Sequence, residues 1–234
     1  MPKNNREQLQ VVPAQVREIR PTRRSVSGYH PFKGETSVPY ESALERDFLI
    51  KCDFDDHVLQ VIPQPVEISF TMPLGRKYTY TPDFLVYRSL STQTYPNYLR
   101  PLLIEVKPYD EWKKNWRKWS AKWKAARRFA IEQGWEFRIF DESRIRDVTL
   151  ENLMFLSRYK RLEFSGEDSQ AIIESVSQRG TVEFHSLLAR HFMGAFQAVG
   201  ISHIWHLVAT KKLRCDLSKP IGNFTELWVA NTNE

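Results

Sequence analysis

Apolar positions change their period several times along this chain, and each change marks an element. In ESALERDFLIKC, residues 41–52, Leu44, Phe48 and Leu49 recur at helical spacing. This predicts a helix with Ser42 near its start. VLQVIPQPVEISF, residues 58–70, predicts extended structure broken by Pro63 and Pro65. RKYTYTPDFLVYRS, residues 76–89, alternates like one strand, with Pro82 tolerated at an edge or bulge. After the polar stretch SLSTQTYPNY comes PLLIEVK, a short buried strand ending at Lys107. Lys113 to Gln133 follows as a long helix closed by Gly134, and WEFRIF as another strand. The order helix, strands, helix, strand predicts an α/β sandwich core.

Either side of that core the pattern weakens. Residues 1–40 are rich in Pro, Ser, Arg and Lys and hold no sustained period. They are expected to form a basic extended arm, with Arg17, Arg20, Arg23, Arg24 and Lys33 available to track phosphates. SGEDSQ, residues 165–170, reads as a linker with a helix start, which sets a catalytic domain at 41–165 and a second domain at 166–234. The second domain shows helical stretches near 168–178, 184–199 and 202–212. Its tail, LRCDLSKPIGNFTELWVA, has two short extended runs around a turn at Pro220–Asn223. Helices followed by a terminal hairpin suggest a winged-helix-like module.

Composition narrows the function class. Hydrophobic residues make up 41% and aromatics 13%, enough for a sizeable core, and the net charge of +6 tilts the chain toward polyanionic partners. Two distant cysteines argue against a disulfide scaffold and fit a reducing cytoplasm. No apolar run is long enough to span a membrane. His203, His206 and Cys215 lack the spacing of a zinc site, and no phosphate-binding loop or G-x-S-x-G motif is present.

The chemistry concentrates in Pro82-Asp83 and Glu105-Val106-Lys107. On a strand, residues 105 and 107 share a face, while Val106 points into the core and its carbonyl can still face a metal. If the two strands pair, Asp83, Glu105 and Lys107 converge. Carboxylates hold hard cations such as Mg²⁺, with Mn²⁺ expected to substitute, and a bound cation polarises a phosphodiester. Lys107 would orient or help deprotonate the attacking water and stabilise developing charge. A third carboxylate is expected from the first helix. Glu45 is preferred over Glu41 because it sits deeper in the helix. The same short pattern also arises by chance on solvated strand edges, so its surroundings matter. The following helix carries Trp112, Trp116, Trp119 and Trp123 on one stripe, which reads first as core. It also carries eight cations from Lys113 to Arg128 with no acid between them. Lys113, Lys114, Arg117, Lys118 and Lys122 are therefore expected to contact DNA phosphates, with Arg23 and Arg24 of the arm.

Taken together and in order, Gly28-Tyr29-His30-Pro31-Phe32-Lys33, Tyr40–Phe48, Gln64-Pro65, Tyr80-Thr81-Pro82-Asp83-Phe84, Ile104-Glu105-Val106-Lys107 and Asp216-Leu217 with Pro220 resemble the TnsA-type transposon endonucleases. The resemblance implies a restriction-endonuclease-like PD-(D/E)xK catalytic domain and a C-terminal winged-helix-like domain. It implies cleavage of the 5′ strands at double-stranded transposon ends, beside a TnsB-type transposase and a TnsC-type AAA+ regulator, in the bacterial cytoplasm at the nucleoid. Some members serve CRISPR-associated transposons. Position by position, Glu45, Asp83 and Lys107 match the family's catalytic residues. Where the family often has glutamine, this chain has Glu105, an added carboxylate. Gln64 matches a family motif and is expected to line the site. The alternatives are another nuclease of the same core, for restriction or repair, or a non-catalytic DNA-binding adaptor.

Overall fold

The computed structural model describes residues 13–17, 26–72, 75–89 and 99–230. Arg20, Arg23 and Arg24 of the expected arm lie outside the described residues. The chain divides into two units, residues 1–145 and 146–234.

The first unit opens on an antiparallel hairpin, β1 (Gly28–Phe32) and β2 (Thr36–Tyr40). Lys33 and Gly34 turn it, both with left-handed backbone (φ 52° and 77°), and the Glu35 N–H donates to the Phe32 carbonyl at 3.1 Å. Two left-handed residues suit the tight turn of a hairpin, and Glu35 is the third residue of the connection before β2. Residues 28–40 are thus not part of an extended arm: Phe32 and Val38 are buried. Lys33 is committed to the fold, its N–H bonding Asp53 and its ammonium the Asp55 carbonyl. Prolines 31 and 39 hid the hairpin, because their ladder hydrogen bonds are missing and their period is blurred.

Helix α1 (Ala43–Phe54) follows, capped by Ser42. Next come β3 (Val58–Pro63), β4 (Ile68–Thr71), β5 (Lys77–Tyr80), β6 (Phe84–Arg88) and β7 (Leu102–Val106). After these lie α2 (Tyr109–Glu132), β8 (Glu136–Phe140) and the short α3 (Glu142–Ile145). The expected single strand over 76–89 is two strands in two sheets. β5 pairs with β4 as a separate hairpin, and Thr81-Pro82-Asp83 breaks the ladder before β6. The central sheet has the order β3-β6-β7-β8, antiparallel except for the parallel pair β7/β8 that α2 connects.

Alternation then sorts the two faces. Phe84 stacks on Phe48 of α1, and Phe140 meets Phe48 edge-on, so one face belongs to α1. Leu85 and Leu103, opposite each other in the ladder and fully buried, form the other face with Trp123, Ala126 and Ala130 of α2. Truncating either leucine to alanine should cost about 2–5 kcal/mol. α2 begins at Tyr109, four residues before the expected start. It ends at Gly134, whose φ of 75° is the left-handed stop glycine favours.

The second unit begins at Arg146 rather than 166, because α4 (Val148–Ser157), capped by Asp147, belongs to it. It continues with α5 (Gly166–Ser177), β9 (Thr181–Glu183), α6 (Phe184–His191), a 3₁₀ turn at Gly194–Phe196, α7 (Gln197–Ala209) and β10 (Glu226–Trp228). The tail does not fold on itself as a hairpin. β10 pairs with the distant β9, and only a bridge from Arg214 to Trp228 joins the two runs of the tail. Among the described residues, no helix is long and apolar enough to cross a membrane.

Candidate active site

The loop Thr81–Asp83 delivers Asp83 to the end of β6, opposite the end of β7. The Val106 N–H donates to the Asp83 carboxylate at 2.7 Å, fixing the pair. Glu105, 2% exposed, lies on the α2 face of the sheet. It accepts from the Tyr80 hydroxyl at 2.5 Å and from the Lys122 ammonium at 3.0 Å, and Lys107 stands 3.9 Å away. Val106 points to the opposite, apolar face and is buried.

Glu45 reaches this neighbourhood from the first turn of α1, where it is already employed. The Ser42 hydroxyl accepts from the Glu45 N–H at 3.1 Å and donates to its carboxylate at 2.9 Å, while the Glu41 N–H donates to the other oxygen at 2.7 Å. This is a variant of the capping box, in which the carboxylate reaches the N–H one residue before the cap, and the Ser-x-x-Glu spacing carried its signal in the sequence. Glu41 instead bonds outward to Arg17 and Gln64. Gln64 is buried in left-handed backbone (φ 44°) that a side chain rarely adopts. Its N–H bonds the Asp83 carbonyl at 2.8 Å, and its own carbonyl accepts from Val16 at 3.0 Å. Gln64 therefore supports the loop that carries Asp83.

Electrostatics bind these groups into one site. Burial first, then the charges of Glu105 and Glu45, push the Asp83 carboxyl well above its ordinary range, against the opposing pull of Lys107 and the Val106 N–H. Glu45 is also pushed up, mainly by burial. For Lys107, burial works against the charge, but Asp83, Glu105, Glu111 and Glu45 outweigh it and hold the ammonium protonated. In this state Lys107 donates and orients; it has no lone pair with which to take a proton. Tyr80, raised by burial and by Glu105 and Asp83, stays a hydroxyl donor.

Among the described residues, no three carboxylate, histidine or cysteine groups close on one point as metal ligands. The donor set nevertheless suits a hard divalent cation. Asp83, Glu105 and Glu45 are buried oxygen donors, and a cation beside Asp83 would relieve the repulsion it feels from the other two.

The basic helix is sorted differently from the expectation. Lys113, Lys114, Arg117 and Lys118 are exposed. Lys122 is not on that face: its ammonium turns inward to Glu105 and lies 4.5 Å from the centre of the Tyr80 ring. Trp123 is core, Trp112 and Trp119 are half-buried, and Trp116 is half exposed. Tyr80 and Lys122 are the partners that sequence reasoning missed. Helical spacing gave no signal for Lys122, since its partner lies 17 residues away on a strand. His203 is bonded to Ser169 at 2.8 Å and His206 to the Tyr159 carbonyl at 2.9 Å.

Residues 55–142 match the family described as TnsA-like endonuclease N terminal, and residues 144–217 that described as TnsA endonuclease C terminal. The chain belongs to the TnsA-type transposon endonucleases. The division between the two matches falls close to the boundary between its structural units. No curated protein matches the chain in sequence.

Proposed function

We infer that this TnsA-type endonuclease is a Mg²⁺-dependent enzyme that cuts the 5′ strands at transposon ends, working with a TnsB-type transposase and a TnsC-type AAA+ regulator. The observation that carries the reading is the convergence of Asp83, Glu105 and Lys107 at the paired ends of β6 and β7, with Glu45 close enough to act on Asp83. The site follows the PD-(D/E)xK pattern of restriction-endonuclease-like cores. Asp83 and Glu105, with the Val106 carbonyl and Glu45, are the groups that would hold the cation. A cation held there would supply Lewis acidity to the phosphodiester and offset charge on the leaving oxygen. Lys107 positions the attacking water and offsets charge on the phosphate. Lys113, Lys114, Arg117 and Lys118 bind DNA phosphates next to the cut, and Gln64 steadies the Asp83 loop. In the second unit, the order helix, helix, strand, helix, helix, strand supports a winged-helix-like reading.

The test is transposition with the partner transposase and regulator, wild type beside Asp83→Ala, with products sequenced through both junctions. A shift from simple insertions to cointegrates assigns the 5′ cut to this chain and to Asp83. Simple insertions in wild-type proportion would leave it a non-catalytic adaptor.

A further inference from the structure

We propose that one face of α2 is a track for single-stranded DNA, leading an unpaired strand away from the cutting site. The proposal rests on the nuclease reading above only for the identity of that site. Tyr109, Lys113, Trp116, Lys124 and Arg127 fall within about 80° of arc on a helix of 3.6 residues per turn. All five are exposed, Tyr109 at 42% and Trp116 at 50%.

The face begins two residues after Lys107 and ends in an open cleft of about 650 Å³ between α2 and β4. Lys124, Arg127 and Arg128 line the cleft beside Phe70 and Ile131. From Tyr109 to Arg127 the helix rises about 27 Å. That spans roughly eight nucleotides of a strand that keeps its duplex rise of about 3.4 Å, and fewer of a more extended one.

The alternation of ring and cation is what a single strand reads and a duplex does not. Paired bases hide their faces, so a duplex backbone gains nothing from exposed rings, whereas unpaired bases stack on them. The rings are braced for that use. Trp116 packs against Trp112 and Trp123 with centroids 5.9 and 5.5 Å apart, and Tyr109 meets Trp112 edge-on. Little side-chain freedom is left to lose on binding. Lys113 stands 5.2 Å from the centre of the Tyr109 ring, placing a cation beside a stacking surface, as phosphate sits beside base in a nucleotide. Core packing accounts for Trp123 but not for the half-exposed Trp116.

The experiment is fluorescence anisotropy with the full chain in metal-free buffer. It compares a labelled blunt duplex with the same duplex bearing a single-stranded extension of about eight nucleotides. The expected result is binding at least about 5-fold tighter with the extension. Tyr109→Ala with Trp116→Ala should abolish that gain and leave blunt-duplex affinity in place, while Tyr109→Phe with Trp116→Phe should retain it. Lys124→Ala with Arg127→Ala should flatten the salt dependence for the extended DNA by about 1.4, at roughly 0.7 per phosphate contact. No gain in wild type, or a gain that survives loss of both rings, overturns the track. So does displacement of the extended DNA by polyglutamate as readily as by oligothymidine, which would make the face a protein-docking surface. Cleavage is assayed separately with Mg²⁺, the partner transposase and the regulator: an enzyme inactive there that keeps the extension preference sinks the nuclease reading alone. An active one without the preference sinks the track alone.

Discussion

Asn152 in the second unit and Asp83 in the first are both buried polar side chains, yet their surroundings are opposite. The Asn152 amide donates to the carbonyls of Leu217 and Lys219 at 2.9 and 2.7 Å and accepts from the Ile221 N–H at 3.3 Å. Every contact is complementary, and their joint effect is to tie the tail to α4. Asp83 has one backbone donor and faces two carboxylates. Asn152 is surrounded by partners, whereas Asp83 is left in a tension that a bound cation would relieve, as its proposed role requires.

The sharpest way to break the contrast is Asp83→Asn. The amide can still accept from Val106 but carries no charge. Cleavage should fall by about 10³-fold or more. The melting temperature of the metal-free protein should rise, because the repulsion from Glu105 and Glu45 is gone. Retained cleavage, or a lower melting temperature, would remove the claim that Asp83 exchanges stability for function. Asn152→Ala makes the complementary case. It strands two carbonyls and an N–H, so denaturant unfolding should show a loss of about 2–4 kcal/mol. Cleavage measured well below the transition should hardly change.

The same contrast explains what could be read in advance. The convergence of Asp83, Glu105 and Lys107 was legible because strand alternation fixes faces locally, and Phe84-Leu85-Val86 and Leu102-Leu103-Ile104 mark the strands that bring them together. Long-range pairing was not legible. β10 pairs along its length with β9 and meets the nearer run by a single bridge at Arg214, and nothing local in a three-residue strand specifies that arrangement. The boundary at 145 was hidden because α4 follows α3 without a Gly-, Pro- or Ser-rich linker. The single strand expected over 76–89 failed at Thr81-Pro82-Asp83, where the break is what brings Asp83 to the site.

A smaller effect follows from titration. The raised Asp83 value means that the folded state resists ionisation. The contribution of Asp83 to metal-free stability is greatest below the ordinary aspartate range and declines as pH rises from there toward the folded value. Mg²⁺ needs the ionised carboxylate, so the rise in melting temperature that Mg²⁺ produces should grow over the same interval. Thermal melts across pH with Mg²⁺ and with a chelator measure both slopes. A Mg²⁺ effect independent of pH would uncouple Asp83 from the cation. Asn152→Ala should displace both sets of curves without altering their pH dependence, since Asn152 does not titrate.

The smallest effect tests whether the tension at the site extends to α2. Lys118 and Lys122 are four residues apart on the same helix and look equivalent in the sequence. Lys118 is exposed, while Lys122 reaches inward to Glu105 at 3.0 Å and is ringed by Tyr80, Trp119 and Trp123. A cation on duplex phosphate releases counterions and one held by Glu105 does not. The logarithm of duplex affinity against the logarithm of salt should therefore flatten by about 0.9 in Lys118→Ala and keep its wild-type slope in Lys122→Met. Equal flattening in both would mean that Lys122 leaves Glu105 when DNA binds. Glu105 would then be freed by the substrate itself, and the inward ion pair would belong only to the DNA-free enzyme.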